Sequence, residues 1–87
     1  MKKIILDFSG VTEKNVHDYL KEKLSFPEHY GKNLDALYDC LTEISSPTCM
    51  GIFNTECKNL SAVIQVFKDA EQDNKNLGIV FEKAALN

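Results

Sequence analysis

An α/β fold, with a small three-stranded parallel sheet flanked by helices in the order β-α-α-β-α-β, is the architecture this 87-residue sequence predicts. Three apolar runs, Lys3-Ile4-Ile5-Leu6-Asp7-Phe8, Cys49-Met50-Gly51-Ile52-Phe53 and Leu77-Gly78-Ile79-Val80-Phe81, are too short for helices and nearly continuous rather than alternating. That is the pattern of strands covered on both faces or lying in a parallel sheet. Stretches with apolar residues at three-and-four spacing lie between the runs. Strands joined through helical crossovers run parallel, and the right-handed crossover rule packs the helices against the sheet.

Ser9-Gly10 punctuates the end of the first strand, and Thr12 with Glu13 offers an N-cap and a favourable first-turn charge. The first helix then runs to about Leu24, burying Val16, Leu20 and Leu24 at steps of four with Tyr19 beside them. Pro27 and Gly31 bracket a loop from Phe26 to Lys32. Asn33 caps a second helix from Leu34 to about Ile44, which Ser45-Ser46-Pro47 stops. Asn54 to Asn59 is polar and reads as a loop. A third helix covers about Leu60 to Gln72, with Leu60, Val63, Ile64 and Phe67 on its apolar face. Asp73-Asn74-Lys75-Asn76 turns into the last strand, and Glu82 to Asn87 is expected to fray. There is no internal repeat, and one domain over residues 1–87 is the expectation.

Composition narrows the function classes. The chain is 44% hydrophobic and 26% charged, an ordinary globular balance, with a net charge of -3. All 10 basic residues are Lys. An acidic chain without guanidinium groups lacks the usual readers of phosphate and guanine, so nucleic-acid binding is disfavoured. Ile4-Ile5-Leu6 is too short for a signal-peptide core, and no stretch approaches a membrane span. Cys40, Cys49 and Cys57 fit neither a disulfide framework nor a Cys-x-x-Cys metal pair, which points to a reducing cytoplasm and thiols that act as small hydrophobes. His17, His29 and the serines form no nucleophile motif, and there is no Gly-rich phosphate loop.

The second helix is the unusual element. Leu34, Leu37, Leu41 and Ile44 fall within about 80° of one another on a helical wheel and form its expected buried stripe. Opposite them, Asp35, Asp39 and Glu43 follow one line at i, i+4 and i+8, with Tyr38 between the two faces. Like charges at this spacing cost roughly 0.2 to 0.5 kcal/mol per pair. The row reads in three ways: the solvated face of an amphipathic helix, a plug that steers toward a basic cleft, or a carboxylate site for a cation.

Leu24-Ser25-Phe26-Pro27-Glu28-His29-Tyr30-Gly31-Lys32-Asn33-Leu34-Asp35-Ala36-Leu37-Tyr38-Asp39-Cys40-Leu41-Thr42 closely resembles the signature of the barstar family, intracellular protein inhibitors of the secreted ribonuclease barnase. The opening Lys-Lys, the Lys-rich first helix with His17, and Ala62-Val63-Ile64-Gln65-Val66-Phe67 extend the likeness, which is weakest over Glu43 to Ser61. The resemblance implies a cytoplasmic, non-catalytic inhibitor or immunity protein. It would be a monomer when free, need no cofactor, and occlude a secreted or toxin ribonuclease in a 1:1 complex. It also makes Asp39 the central mimic of an RNA phosphate and Asp35 its neighbour, with Tyr30, Gly31, Asn33, Leu34 and Thr42 lining the contact and Val66 and Asp69 at its rim. His29 and Tyr38 stand where the family has a tyrosine and a tryptophan, and Asp69 where it has a glutamate. With Glu43 from the acidic row, these complete the expected partner-binding set. The competing expectations are immunity to a toxin that is not a ribonuclease, and a small metal-binding protein using Asp35, Asp39 and Glu43.

Overall fold

In the computed structural model, which describes residues 1–55 and 58–82, the chain forms β1 (Lys2–Asp7), α1 (Val16–Leu24), α2 (Leu34–Thr42), β2 (Thr48–Phe53), a 3-10 turn (Lys58–Leu60), α3 (Ser61–Asp73) and β3 (Leu77–Glu82). The β-α-α-β-α-β order is the expected one. The three strands pair in parallel in chain order, β1-β2-β3, with Leu6 opposite Ile52 and Ile52 opposite Phe81.

That strand order determines which face the helices cover. Both crossovers step in the same direction along the sheet, so the right-handed rule puts both sets of helices on the same side. Of the two readings of the apolar runs, strands covered on both faces or strands of a parallel sheet, the second holds. Leu6, Met50 and Ile52 face the helices and are fully buried, whereas Ile5 is 61% and Val80 46% exposed on the other side, in one row with Gly51. At Gly51 a Cβ would lie 3.3 Å from Ile5 Cδ1 and 3.5 Å from Phe53 Cε1, so the neighbouring side chains partly close over the glycine.

The core between sheet and helices contains Phe8, Val16, Leu20, Leu37, Leu41, Leu60 and Phe67. Tyr19 fastens α1 to the sheet: its ring packs edge-on to Phe8 at 5.8 Å, and its hydroxyl accepts the Asp7 backbone N–H at 2.8 Å.

Three expectations at the helix ends are corrected. Thr12 does not cap α1, because residues 12–15 close a turn of their own. In that turn Asn15 Oδ1 accepts from the Thr12 N–H at 2.8 Å and Thr12 Oγ1 from the Lys14 N–H at 3.2 Å. Local side-chain bonding of this kind competes with helix, and α1 begins only at Val16. The second helix ends at Thr42 rather than near Ile44, because its last carbonyls find side-chain partners outside the helix. Leu34, assigned to the buried stripe, is 38% exposed. Residues 31–35 are exposed without interruption, so the first turn of α2 projects beyond the layer that covers Leu37 and Leu41. The third helix matches its expected range to within one residue. Of the segment expected to fray, Glu82 is instead the last residue of β3; Cys57 and residues 83–87 lie outside the described residues, while Cys40 and Cys49 are free and half-buried.

Candidate partner-binding face

The loop ahead of α2 is built around Tyr30. Ser25, in the left-handed region at φ 55°, ends α1, and the Phe26 N–H closes back on the Lys21 carbonyl at 3.0 Å. The Tyr30 N–H then bonds the Pro27 carbonyl at 2.9 Å, which turns the chain inward. Only 5% of Tyr30 is exposed. Its ring packs at a tilt against Phe26 with centroids 4.8 Å apart, and its hydroxyl is hydrogen-bonded to His17 Nδ1 at 2.7 Å. Desolvation pushes the phenol up to about 12, with Cys40 adding to the shift, and desolvation also lowers His17 below its ordinary 6.5 against the opposing pull of Asp18. Tyr30 thus anchors the loop from beneath, whereas His29, its neighbour, is exposed on top.

Gly31, Lys32 and Asn33 carry the chain into α2. Asn33 Oδ1 accepts the Ala36 N–H at 2.8 Å, which is the expected cap, and its Nδ2 donates to the Gly31 carbonyl at 3.3 Å. A Cβ on Gly31 would stand 3.3 Å from Asn33 Nδ2 and 3.4 Å from Ala36 Cβ, so the close approach to the cap favours glycine. Lys32, at φ 55°, turns away and pairs with Asp18 at 2.7 Å, which holds the Asp18 carboxyl below its usual range.

Along α2, Asp35, Asp39 and Glu43 are exposed, and neither ion pair among the described residues involves them. Thr42 Oγ1 donates to the carbonyls of Tyr38 and Asp39 at 2.9 and 3.2 Å, and so bonds its own helix. Cys40 sits at the edge of the buried stripe. Its thiol is pushed up by burial first and then by Glu43 and Asp39, the opposite of a reactive thiolate.

Two residues of this face were not singled out from the sequence. Asn74, 7% exposed, donates through Nδ2 to the carbonyls of Leu41, Thr42 and Ile44 at 3.0, 3.3 and 3.0 Å. The end of α2 is therefore capped by the turn that follows α3. Asp73 accepts a hydrogen bond from the Tyr38 hydroxyl. The nearest sequence signal was Asp73-Asn74-Lys75-Asn76 itself, which announces a turn but not the element its side chains serve.

On α3, Val66 is half-buried, and Asp69 is exposed and accepts from Gln65 Nε2 at 3.0 Å. Since α2 packs on α3, the face combines an acidic helix with the outer side of its neighbour. Among the described residues, no three His, Cys, Asp or Glu side chains come together to hold a metal ion, so the metal-binding expectation has no geometric basis there. No helix among the described residues is long and apolar enough to cross a membrane.

Two comparisons with known proteins bear on this face. The family model described as Barstar (barnase inhibitor) matches residues 1–85. A protein of Bacillus subtilis (strain 168) named "Putative ribonuclease inhibitor YrdF" is 39% identical over 84 residues, covering 87% of this chain and 92% of the relative. With the family match running almost from end to end of a chain that folds as β-α-α-β-α-β, this protein belongs to the barstar family.

Proposed function

We propose that this protein is an inhibitor of a ribonuclease rather than an enzyme, acting as an immunity protein in the cytoplasm of the cell that makes the nuclease. The observation that carries the reading is the row Asp35, Asp39 and Glu43 on α2, exposed and free of the ion pairs described, on a helix capped by Asn33 at one end and Asn74 at the other. Such a row is unfavourable within the free protein. Asp39 and Glu43 also lie toward the negative end of the helix dipole, and no basic residue stands in the last turn. A basic cleft reverses that balance.

A nuclease that handles RNA phosphates presents Lys, Arg and His side chains to them. In a 1:1 complex Asp39 takes the place of a phosphate against those groups through short charge-assisted hydrogen bonds, and Asp35 meets the adjoining cation. Gly31, Asn33, Leu34, Thr42 and Glu43 border the contact, and Val66 and Asp69 extend it onto α3. His29 lies on the exposed side of the loop, where it can stack on or hydrogen-bond to a partner group. Tyr30 supports that loop from within. Membership of the barstar family and the printed description of the Bacillus subtilis relative support the ribonuclease as target class.

Titration of the protein and its Asp39→Ala variant against a panel of barnase-type and toxin ribonucleases tests the reading. Stoichiometric inhibition that collapses in the variant is the expected result. No inhibition of any member overturns the ribonuclease reading and leaves immunity to a toxin of another kind as its replacement.

A further inference from the structure

Two parallel rows of side chains meet on this face. On α2 the row is Asp35, Asp39 and Glu43, and on α3 it is Gln65, Asp69 and Asp73, also at i, i+4 and i+8. Tyr38 lies between them, and its hydroxyl donates to Asp73 Oδ2 across 35 residues of sequence.

Asp73 is in an unfavourable place for a carboxylate. It is the last residue of α3, where the helix dipole is negative; the last turn holds no basic residue, and Asp69 stands one turn away. Among the described residues, the phenol is the one side-chain donor to it. Tyr38 is in turn enclosed by acid: the hydrogen bond to Asp73 holds its hydroxyl protonated above the ordinary 10.0, with lesser contributions from burial, Asp69 and Asp39. One hydroxyl on α2 therefore ties down the terminal carboxylate of α3.

We propose that Tyr38 is a positioning residue of the inhibitory face, whose hydroxyl holds Asp73 and the end of α3 in register with Asp39 on α2, so that a cationic partner meets one preformed acidic surface. The inference rests on the ribonuclease-inhibitor reading and deepens it. Tyr38 acts mainly through Asp73, and the contribution of its ring to the partner is secondary. Pre-ordering of this kind removes part of the ordering cost of association, and its loss appears in the dissociation rate. Net charge, which governs steered association, is unchanged when the hydroxyl alone is removed.

A kinetic double-mutant cycle separates these contributions, with barnase as the probe nuclease. Tyr38→Phe keeps the ring and the charge and is expected to raise koff roughly three- to tenfold while leaving kon within about twofold. Asp73→Ala is expected to raise koff similarly and also to lower kon, and the double variant is expected to raise koff no further than the worse single change. Asp73→Asn retains an oxygen acceptor for the phenol, so koff returns toward that of the unmodified protein while kon stays low. Melting temperatures establish that all four variants are folded, as exposed or half-exposed positions lead one to expect. Additive effects of Tyr38→Phe and Asp73→Ala, no change in koff on removing the hydroxyl, or a koff for Asp73→Asn as high as for Asp73→Ala would overturn the positioning role while leaving inhibition intact. Failure of the unmodified protein to bind barnase or any nuclease of the panel overturns the reading beneath it, and the positioning role with it.

Discussion

The side-chain amide of Asn74 donates to the backbone carbonyl of Leu41 at 3.0 Å, joining the turn after α3 to the end of α2 across 33 residues of sequence. The last carbonyls of a helix have no partners within it, and here one buried amide serves three of the carbonyls at that end, those of Leu41, Thr42 and Ile44. Its Oδ1 accepts the Asn76 N–H at 3.0 Å, which fixes the direction of the amide.

Removing that amide strands several acceptors at once. Asn74→Ala is expected to lower the unfolding free energy by about 2 to 3 kcal/mol, since each neutral hydrogen bond contributes about 0.5 to 1.5 kcal/mol and buried groups left unpaired cost more. Asn74→Asp is expected to be at least as damaging, because it replaces the donor with a charge facing the same carbonyls. Urea unfolding of the three proteins measures this. An Asn74→Ala protein as stable as the original would mean that water serves the helix end equally well.

His17 makes stability depend on pH. Desolvation lowers its folded pKa below the 6.5 of the unfolded chain, so the unfolded state binds more protons as the solution becomes acidic. The contribution to stability is complete above 6.5 and is lost as pH falls from there through the lowered folded value. Asp18 and Asp7, both held below 3.8 in the fold by Lys32 and Asn54 respectively, lose their own contributions only in stronger acid. Melting curves between pH 7.5 and 5 are expected to show a decline that is flatter in His17→Gln. Equal slopes would assign the acid sensitivity elsewhere. Because His17 touches Tyr30 under the loop proposed to bind the nuclease, the same decline is expected in inhibition.

Leu37 tests the orientation of α2. It is fully buried, and Leu37→Ala removes a core side chain, at an expected cost of about 2 to 5 kcal/mol. Leu34→Ala, at a position 38% exposed, is expected to change stability little and to affect inhibition instead. Thermal melts beside inhibition assays distinguish the two positions, and a small effect at Leu37 would reject the helix orientation.

The contrast between Leu34 and Leu37 marks how far the sequence could be read. A helical wheel treats every turn alike, so it placed Leu34, Leu37, Leu41 and Ile44 on one stripe. How far the covering layer extends is a tertiary property, and it stops short of the first turn. The parallel strands and the Asn33 cap were legible because short apolar runs and capping chemistry are local signals. Tyr30, which resemblance places at the contact, is 5% exposed in the free protein and packs against Phe26 and His17, a burial that no local pattern announces. Asn74 and Asp73 stayed hidden because their partners lie more than thirty residues away, and no periodicity encodes such a contact.

The role proposed for Asp39 sets stability against function, and the two are measurable on one variant. In the free protein Asp39 repels Asp35 and Glu43 one turn on either side and has lower helix propensity than alanine. Asp39→Ala is therefore expected to leave the fold as stable as before or more stable by about 0.5 to 1 kcal/mol. Inhibition is expected to fall steeply, because a partner's cations would remain buried without their carboxylate. The scale for that loss is the barnase and barstar complex itself, where close charge pairs couple by about 1.5 to 7 kcal/mol. Salt separates this contact from general steering. Raising ionic strength is expected to slow association of both proteins with the nuclease, since several exposed carboxylates remain in the variant, while the difference in their dissociation rates persists. Stopped-flow association at two salt concentrations, beside a thermal melt, gives both quantities. An Asp39→Ala protein that unfolds would give this carboxylate a structural role, and one that dissociates as slowly as the original would remove it from the centre of the interface.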